Sequence, residues 1–296
     1  MSGFMSNSTA LMVFMADSAK FNESSLRQHV FTPNIDADGK RLGWVGLGDP
    51  LDTDFSFGLE QGRFAAFSLR VDTRKASSAA VNLQLAEALR EKAATGEKVK
   101  GKVKKELKEA ITATLTSKAP FIPTLIDCLW DLDKGRLLVS TASVKALSPF
   151  IGLFSQTFGF EPEPVSSKSD MTELFAEICR NEQYECGGFV LSPFGSASLA
   201  TPGQTEDKAL VAVQNNINAV ALALDEGLKI QKVRLMAASQ ASPDFQLDFM
   251  LDSALAAVSG LKLPKAEKGA EEDAEFLLKA DACSSAADIV EALASA

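Results

Sequence analysis

Apolar and polar positions along the chain follow two alternating periods, which predict a mixture of strands and helices. Apolar or alternating runs typical of strands occupy residues 10–15, 63–71, 124–130, 136–141, 208–213, 218–224, 229–237, 245–251 and 274–280. Patterns typical of helices occupy residues 25–29, 79–94, 97–118, 143–158, 171–180 and the stretch that follows Ser284-Ser285. Turn residues at 133–135 and 225–227 predict two hairpins. The interspersed helices and hairpins indicate an α+β fold.

The helix predicted at 97–118 belongs to a segment, residues 88–118, that we call the lysine arm. Its apolar residues recur every four positions from Val99 to Leu115, so one drifting stripe can pack against a neighbour. Six lysines form two rows beside that stripe: Lys98, Lys102 and Lys105 in one, and Lys100, Lys104 and Lys108 in the other. The predicted helix therefore buries one face and holds two rows of ammonium groups in water.

The charge of the lysine arm is opposite to that of the rest of the chain. The arm carries nine Lys or Arg against four acids, net +5, whereas the whole chain is −9, so the remainder is −14. Its acids Glu106 and Glu109 follow lysines by four residues, the weaker order for helix ion pairs, and neutralise little. A solvated helix face is one explanation, and a polyanion-binding surface is the functional one. Lysine suits phosphate contact because it is a mobile point charge that reads no base.

A proline-bracketed segment follows the lysine arm. Pro120 and Pro123 fix their own φ and keep the preceding residues out of a helix, so we expect Phe121 and Ile122 to be extended. Either this apolar pair folds back over the hairpin around Trp130, or it forms a small contact with a second copy of the chain. Phe121 and Ile122 are therefore candidate contact residues.

Composition limits the chemistry that the chain can perform. Its 296 residues are 46% apolar and 23% charged, as in globular proteins. No stretch resembles a membrane span or a signal peptide, so a cytoplasmic protein without membrane contact is expected. The four cysteines lack metal-ligand spacing and are expected to be reduced thiols. His29 is the single histidine, which excludes most zinc sites and the usual catalytic triads, so we expect neither a metal nor a cofactor.

Three segments organise the predicted elements. Residues 1–78 form the N-terminal part of a central body, residues 79–160 form the basic helices and a hairpin, and residues 161–296 form a C-terminal α+β body. Two helices that connect to a small sheet through a proline-rich tip are expected to form an arm that projects from the body. Trp44, which lies between glycines, is expected to anchor the long loop at 34–54.

Short motifs follow one another in a characteristic order along nearly the whole chain. They are His29-Val-Phe-Thr-Pro33, Leu42-Gly43-Trp44-Val45, the lysine arm, Leu129-Trp130-Asp131, Gly135-Arg-Leu-Leu-Val139, Ala142-Ser143, the stretch 221–226, Asp273-Ala-Glu-Phe-Leu277 and the closing helix. No single motif is very specific, but their order and spacing are. In this arrangement the chain resembles the RdgC family, recombination-associated proteins of bacteria.

The resemblance implies a crescent-shaped protomer, two of which close into a ring-shaped homodimer around double-stranded DNA without reading its sequence. It also implies a dimer-forming surface on the C-terminal body, association with the nucleoid and competition with the RecA recombinase. The lysines that match basic residues of the family's DNA-facing surface are Lys98, Lys100, Lys102, Lys104, Lys105, Lys108 and Lys118. The family's tip aromatic falls at Pro120, one place before Phe121. A second basic patch of the family falls near 201–204, where this chain keeps only Gln204.

The sequence and the resemblance are compatible with three functions. The first, which we expect, is a non-enzymatic DNA-binding protein that modulates homologous recombination by limiting recombinase access. The second is a metal-dependent DNA exonuclease, a label that the family has also carried, which requires carboxylates converging on Mg²⁺. Glu106-Leu107-Lys108 has the spacing of one such fragment but lies on the basic helix, and Asp248 and Asp252 share a strand face as solvated acids often do. The third is a protein-interaction module in which the lysine arm only adds solubility.

Overall fold

Strands and helices alternate along the parts of the chain that the computed structural model describes, which are residues 3–35, 39–96, 100–165, 171–181, 183–201, 217–242, 244–253 and 257–296. The strands are β1 Ser8–Met15, β2 Arg41–Val45, β3 Glu60–Gln61, β4 Phe64–Arg74, β5 Phe121–Asp131, β6 Arg136–Val139, β7 Glu163–Pro164, β8 Tyr184–Cys186, β9 Phe189–Ala200, β10 Lys229–Ser239, β11 Gln246–Asp252 and β12 Val258–Lys262. The helices are α1 Glu23–Gln28, α2 Ser78–Ala94, α3 Gly101–Lys118, α4 Val144–Phe158, α5 Met171–Asn181, α6 Ile217–Asp225 and α7 Glu272–Ser295. The predicted α+β class is confirmed. The strand predicted at 208–213 and residue Lys98 lie outside the described residues.

One large sheet connects the described strands in the order β2-β4-β5-β6-β1-β12-β11-β10-β9-β8, with β3 beside β4 and β7 beside β1. Strand β1 pairs antiparallel with β12 through its first half and with β6 through its second half. The strands β8 to β12 also pair antiparallel with their neighbours. The β5–β6 hairpin has Gly135 at φ 63° in its turn, a conformation that glycine adopts without strain, and it confirms the hairpin predicted there.

The chain divides into two compact units. Unit 1 comprises Met1–Val30, Trp44–Leu69 and Ile126–Ala296, and unit 2 comprises Phe31–Gly43 and Arg70–Leu125. The three segments predicted from the sequence are continuous stretches of chain, and this division by contacts does not test them. None of the helices in the described residues is long and apolar enough to cross a lipid bilayer.

The core of unit 1 combines the inward side chains of its strands with helices α5 and α7. Alternate residues of β10 and β11 are buried, as the period-two pattern predicts, and these include Leu235 and Phe249. Helix α7 contributes many small side chains, which allow it to pack closely on more than one side. A second group of aromatic residues packs Trp44 and Trp130 against Phe150 and Phe154 of helix α4.

Two predictions about secondary structure are wrong. Residues 218–224 lie in helix α6 and not in a strand, so the hairpin predicted at 225–227 is a helix-to-strand turn. Residues 274–280 begin helix α7, and Ser284, expected to cap a helix, is buried within it and donates to Asp131 Oδ2 at 3.0 Å. Alanine and leucine favour helices strongly, and this propensity outweighs the apparent alternation in both segments.

Candidate nucleic-acid interface

Unit 2 concentrates the positive charge of the chain. Its two stretches of sequence contain fourteen Lys or Arg against eight Asp or Glu, net +6, whereas the whole chain is −9, so unit 1 carries −15. Separation of charge on this scale produces a positive potential at unit 2 that attracts polyanions and a negative one at unit 1 that repels them. Unit 2 is therefore where a nucleic-acid contact is electrostatically favoured.

Helices α2 and α3 pack against each other within unit 2. Helix α2 begins where Ser77 Oγ accepts from the amide of Ala80, and it buries Val81 and Leu85 on one face, as predicted. Gly96, at φ 77°, follows it in the left-handed conformation that glycine tolerates. Helix α3 confirms the helix predicted for the second part of the lysine arm, although none of its residues is fully buried.

The apolar stripe of α3 is half-buried only in its later turns. Leu107, Ile111 and Leu115 are partly buried, whereas Val103 is 37% exposed. The first two turns of α3 therefore carry their lysines on a part of the helix that packs little against the rest of the protein. Such lysines keep their rotamer freedom and their hydration until a partner arrives.

The lysines of α3 are exposed, and few acids compensate them. The exposed set comprises Lys100, Lys102, Lys104, Lys105, Lys108 and Lys118. Lys105 Nζ lies 3.9 Å from Glu109 Oε1, with both side chains more than half exposed, and such a pair contributes little. For the other five, no ion pair is formed with any residue that the structure describes. The ammonium groups are thus available to phosphates.

The beginning of α3 adds to this positive potential. Lys100 occupies the N-cap position without a side-chain hydrogen bond, and the first turn holds no acid. Free amides at a helix N-terminus carry a partial positive charge, which acids in the first turn normally offset. Here Lys102 and Lys104 reinforce that charge instead.

Phe121 and Ile122 are the first two residues of strand β5, and they differ in exposure. The Phe121 ring is partly buried, with the guanidinium carbons of Arg41 and Arg74 at 3.8 and 4.2 Å from its centroid. Ile122 is 51% exposed. Sequence reasoning missed the two arginines, because residues 41, 74 and 121 are far apart and only the order of the strands brings them together.

The carboxylates considered for a metal site have other partners. Asp248 accepts from Arg234 Nε and Nη2, both at 2.7 Å, and also pairs with Lys262, and these hydrogen bonds lower its pKa although burial opposes them. Asp252 pairs with Lys232 at 2.8 Å, and Glu106 lies exposed on α3. No group of three or more His, Cys, Asp or Glu that could hold a metal occurs in the described parts of the chain.

Two carboxyls of unit 1 stabilise the fold in different ways. Asp127 is buried, and burial raises its pKa although Ser68 Oγ and the Phe4 amide donate to it at 2.7 and 2.9 Å. Asp288 of α7 is a third exposed; burial raises its pKa, but hydrogen bonds from Lys134 and Arg136 outweigh burial, so the pKa is lowered. Neither lies in unit 2, so both are structural groups and not parts of the basic interface.

A protein-family model matches most of the chain. The family model described as "Putative exonuclease, RdgC" matches residues 10–242, which include all of unit 2 and most of unit 1. No curated protein matches the chain significantly. The match covers more than half of the sequence and agrees with the motifs from His29 to the stretch 221–226. The chain therefore belongs to the RdgC family.

Proposed function

We propose that this protein binds double-stranded DNA without sequence preference and without catalysis, through the lysines of α3. Two copies form a ring-shaped homodimer of crescent-shaped protomers around the duplex and thereby limit the access of a recombinase such as RecA. The protein acts in the cytoplasm, on the nucleoid. Membership of a recombination-associated family supports the process, and the charge distribution supports the ligand.

The observation that carries this proposal is the set of exposed lysines on α3 and at its N-cap, all but Lys105 without an ion pair to any described residue. They belong to a unit of net +6 in a chain of −9, and most have no acid partner among the described residues. Lysine makes salt-dependent contacts with phosphates and does not read base edges bidentately as arginine does. A surface of this kind fits binding to any duplex sequence.

Ring closure rests on the resemblance and on one feature of unit 2. Ile122 is half-exposed at the beginning of β5, beside the partly buried Phe121. An apolar side chain in this position can form a small self-complementary contact with its copy in a second protomer. We propose that Ile122, beside the partly buried Phe121, makes this contact.

The nuclease interpretation has less support, although the family description includes it. Glu106 and Lys108, the pair with nuclease-like spacing, lie exposed on a helix, and the described residues contain no group of three or more side chains that could hold a metal. Two-metal nuclease chemistry needs several carboxylates around the scissile phosphate. We therefore propose that the protein binds DNA and leaves it intact.

A salt titration tests the proposal. Binding of a random 30-bp duplex should weaken with salt at a log–log slope of about −4 to −7, as expected for roughly four to eight phosphate contacts. Replacing Lys102, Lys105 and Lys108 by glutamine should reduce that slope by about one for each phosphate contact that the substitutions remove. The matched control replaces Lys145, Lys265 and Lys268, three exposed lysines of unit 1, and should leave the slope unchanged.

Three results would contradict the proposal. One is a flat salt dependence of the wild-type protein, and another is strong preference for one duplex sequence. The third is cleavage of labelled DNA with Mg²⁺ or Mn²⁺ that copurifies with the protein and disappears in a carboxylate variant such as Glu106→Gln. That last result would establish the exonuclease instead.

A further inference from the structure

Arg41, Arg74 and Phe121, all in unit 2, form a cluster where three neighbouring strands begin or end. Arg41 is the first residue of β2, Arg74 is the last residue of β4, and Phe121 is the first residue of β5. Strand β4 lies between β2 and β5 in the sheet, so the three positions meet. The two guanidinium carbons lie 3.8 and 4.2 Å from the centre of the Phe121 ring, and hence within about 8 Å of each other.

The hydrogen-bonding capacity of this cluster is largely unused. Arg74 Nη1 donates to the Ser117 carbonyl oxygen at 2.7 Å, near the end of α3. The Nε atoms of Arg41 and Arg74 are both buried, and neither has a hydrogen-bond partner in the parts of the chain that the structure describes. In the described residues no carboxylate pairs with either arginine, whereas Arg70 nearby in sequence is paired with Asp72. Two guanidinium groups therefore lie close together without a carboxylate partner among the described residues.

We propose that this cluster binds a backbone phosphate of duplex DNA, as a second contact separate from the lysines in the first turns of α3. The inference rests on the proposed DNA-binding function and deepens it. Like charges separated by no more than a Debye length of about 8 Å repel each other, and a phosphate placed beside both relieves that repulsion. The planar N–H forks of arginine match two phosphate oxygens at once, which lysine does not do.

Phe121 is the positioning residue of this site. A guanidinium group stacked on an aromatic face is attracted by the ring's quadrupole and loses rotamer freedom before the ligand arrives. Arg74 is further held by Ser117, so its remaining N–H groups have a defined direction. The side chain of Arg41 has no hydrogen bond to a described residue, and its placement therefore depends on the ring.

The distance along α3 between its first lysines and the arginine cluster allows both to contact one duplex. Arg74 reaches Ser117 at the end of the helix, whereas Lys102 to Lys108 lie in its first two turns. Nine to fifteen residues at a rise of 1.5 Å separate the two groups by about 14–23 Å. This is less than one turn of B-DNA, which is roughly 34 Å long. Both groups can therefore contact phosphates of the same helical turn.

The experiment compares the salt dependence of duplex binding for variants of the cluster. Arg41→Gln should weaken binding about fivefold at 0.15 M salt and reduce the slope by about one, because the substitution removes one phosphate contact. Arg41→Gln combined with Arg74→Gln should weaken it further but leave the slope as in Arg41→Gln, because both arginines contact the same phosphate. Arg27→Gln, which removes an exposed arginine of unit 1, is the control for net charge and should change neither quantity.

Variants of Phe121 separate positioning from simple packing. Phe121→Tyr keeps an aromatic face and should keep the wild-type affinity and slope. Phe121→Leu fills most of the space without a π face, and it should reduce the affinity several-fold while the melting temperature changes little. If Phe121→Leu and Phe121→Tyr bind DNA equally well, Phe121 only packs and the positioning role is wrong.

The outcomes distinguish this inference from the function on which it rests. If the α3 lysine variants lose affinity and slope but Arg41→Gln matches wild type, the arginine site is wrong and the proposed function stands. If the wild-type protein binds no duplex, both are overturned. Arg41→Gln remains decisive if the Arg74 variant fails to fold, because Arg41 makes no described hydrogen bond whose removal would destabilise the protein.

Discussion

Trp44 donates its indole N–H to the hydroxyl of Thr157 at 2.8 Å, across 113 residues of sequence and in a site where both side chains are buried. Thr157 in turn donates to the Leu153 carbonyl oxygen within α4. The Phe67 and Phe150 rings pack against the indole in T-shaped geometry. The hydrogen bond therefore orients strand β2 on helix α4 and satisfies a polar atom inside an aromatic core.

Thr157→Val should destabilise the protein, because valine has the same shape but leaves the indole N–H without an acceptor. A buried unsatisfied donor costs about 1–3 kcal/mol, which corresponds to a fall in melting temperature of roughly 2–10 °C for a chain of this size. Thr157→Ser keeps the hydroxyl and should cost less. Thermal unfolding by circular dichroism measures both variants, and equal melting temperatures would show that the hydrogen bond contributes nothing.

Asp127 should make the protein less stable as pH rises. Burial raises its pKa in the folded state, so the folded protein holds the proton at pH values where the unfolded chain has released it. The free energy of unfolding of wild type minus that of Asp127→Asn should fall as pH rises above about 4, and then level off above the folded pKa. Urea unfolding of both proteins between pH 4 and 8 measures it. A difference that increases with pH would mean that the pKa of Asp127 is lowered.

Asp288 should show the opposite dependence. Burial raises its pKa, but Lys134 and Arg136 lower it more, so the unfolded chain binds the proton first as pH falls. The stability that Asp288 contributes is full above its unfolded pKa and is lost as pH falls through the folded pKa. Asp288→Asn should cost about 1–3 kcal/mol at pH 7, since it weakens hydrogen bonds to charged groups, one of them on the buried Arg136.

Urea unfolding between pH 4 and 8 also measures Asp288→Asn, so the two carboxyls are compared under the same conditions. The difference between wild type and Asp288→Asn should shrink toward acid pH, whereas the difference for Asp127→Asn should grow there. Two curves with the same sign would show that one of the two assignments is wrong.

Much of the fold follows from local sequence signals. The β5–β6 hairpin, helix α4 with Ser143 at its start and Gly159 at its end, and the alternation in β11 all occur where the sequence predicts them. In each case the turn or cap residue and the hydrophobic period agree with each other. Agreement between these independent signals is what makes a local prediction dependable.

Helices α6 and α7 show where local signals fail. In α6, Val220, Leu222 and Leu224 alternate with alanines and resemble a strand, but the helix buries Val220 and Ala223 and leaves Leu222 66% exposed. Helix α7 has buried alanines on several of its sides, so the helical periodicity of apolar residues that would mark a single buried face is weak. The sequence alone does not show which of these alanines pack against a neighbouring element.

The candidate interface was predictable only in part. The lysines of α3 are close in sequence, and their helix and exposure followed from the four-residue period of Val103, Leu107 and Ile111. The cluster of Arg41, Arg74 and Phe121 depends on the order of β2, β4 and β5 in the sheet. Contacts between distant strands are a property of topology, and no local pattern encodes them.

Closure of the proposed ring can be tested at Ile122. Its side chain is half-exposed, so Ile122→Ser should change the free energy of unfolding by about 0.5 kcal/mol or less. If Ile122 contacts its copy in the second protomer, the same change should weaken the dimer, as measured by sedimentation at several concentrations. Leu83→Ser removes another exposed apolar residue of unit 2, on α2, and should leave dimerisation unchanged.

A topological assay then separates encirclement from ordinary binding. Salt disrupts phosphate contacts, so a high-salt wash should release a closed ring from linear DNA by sliding over its ends, yet leave it on a covalently closed circle. Wild-type protein should be retained on the circle alone, and Ile122→Ser should be lost from both. Equal loss of wild-type protein from both DNAs would show that no ring closes. A fall of many degrees in the melting temperature of Ile122→Ser would instead place Ile122 in the core, because truncating an exposed residue exposes no buried surface.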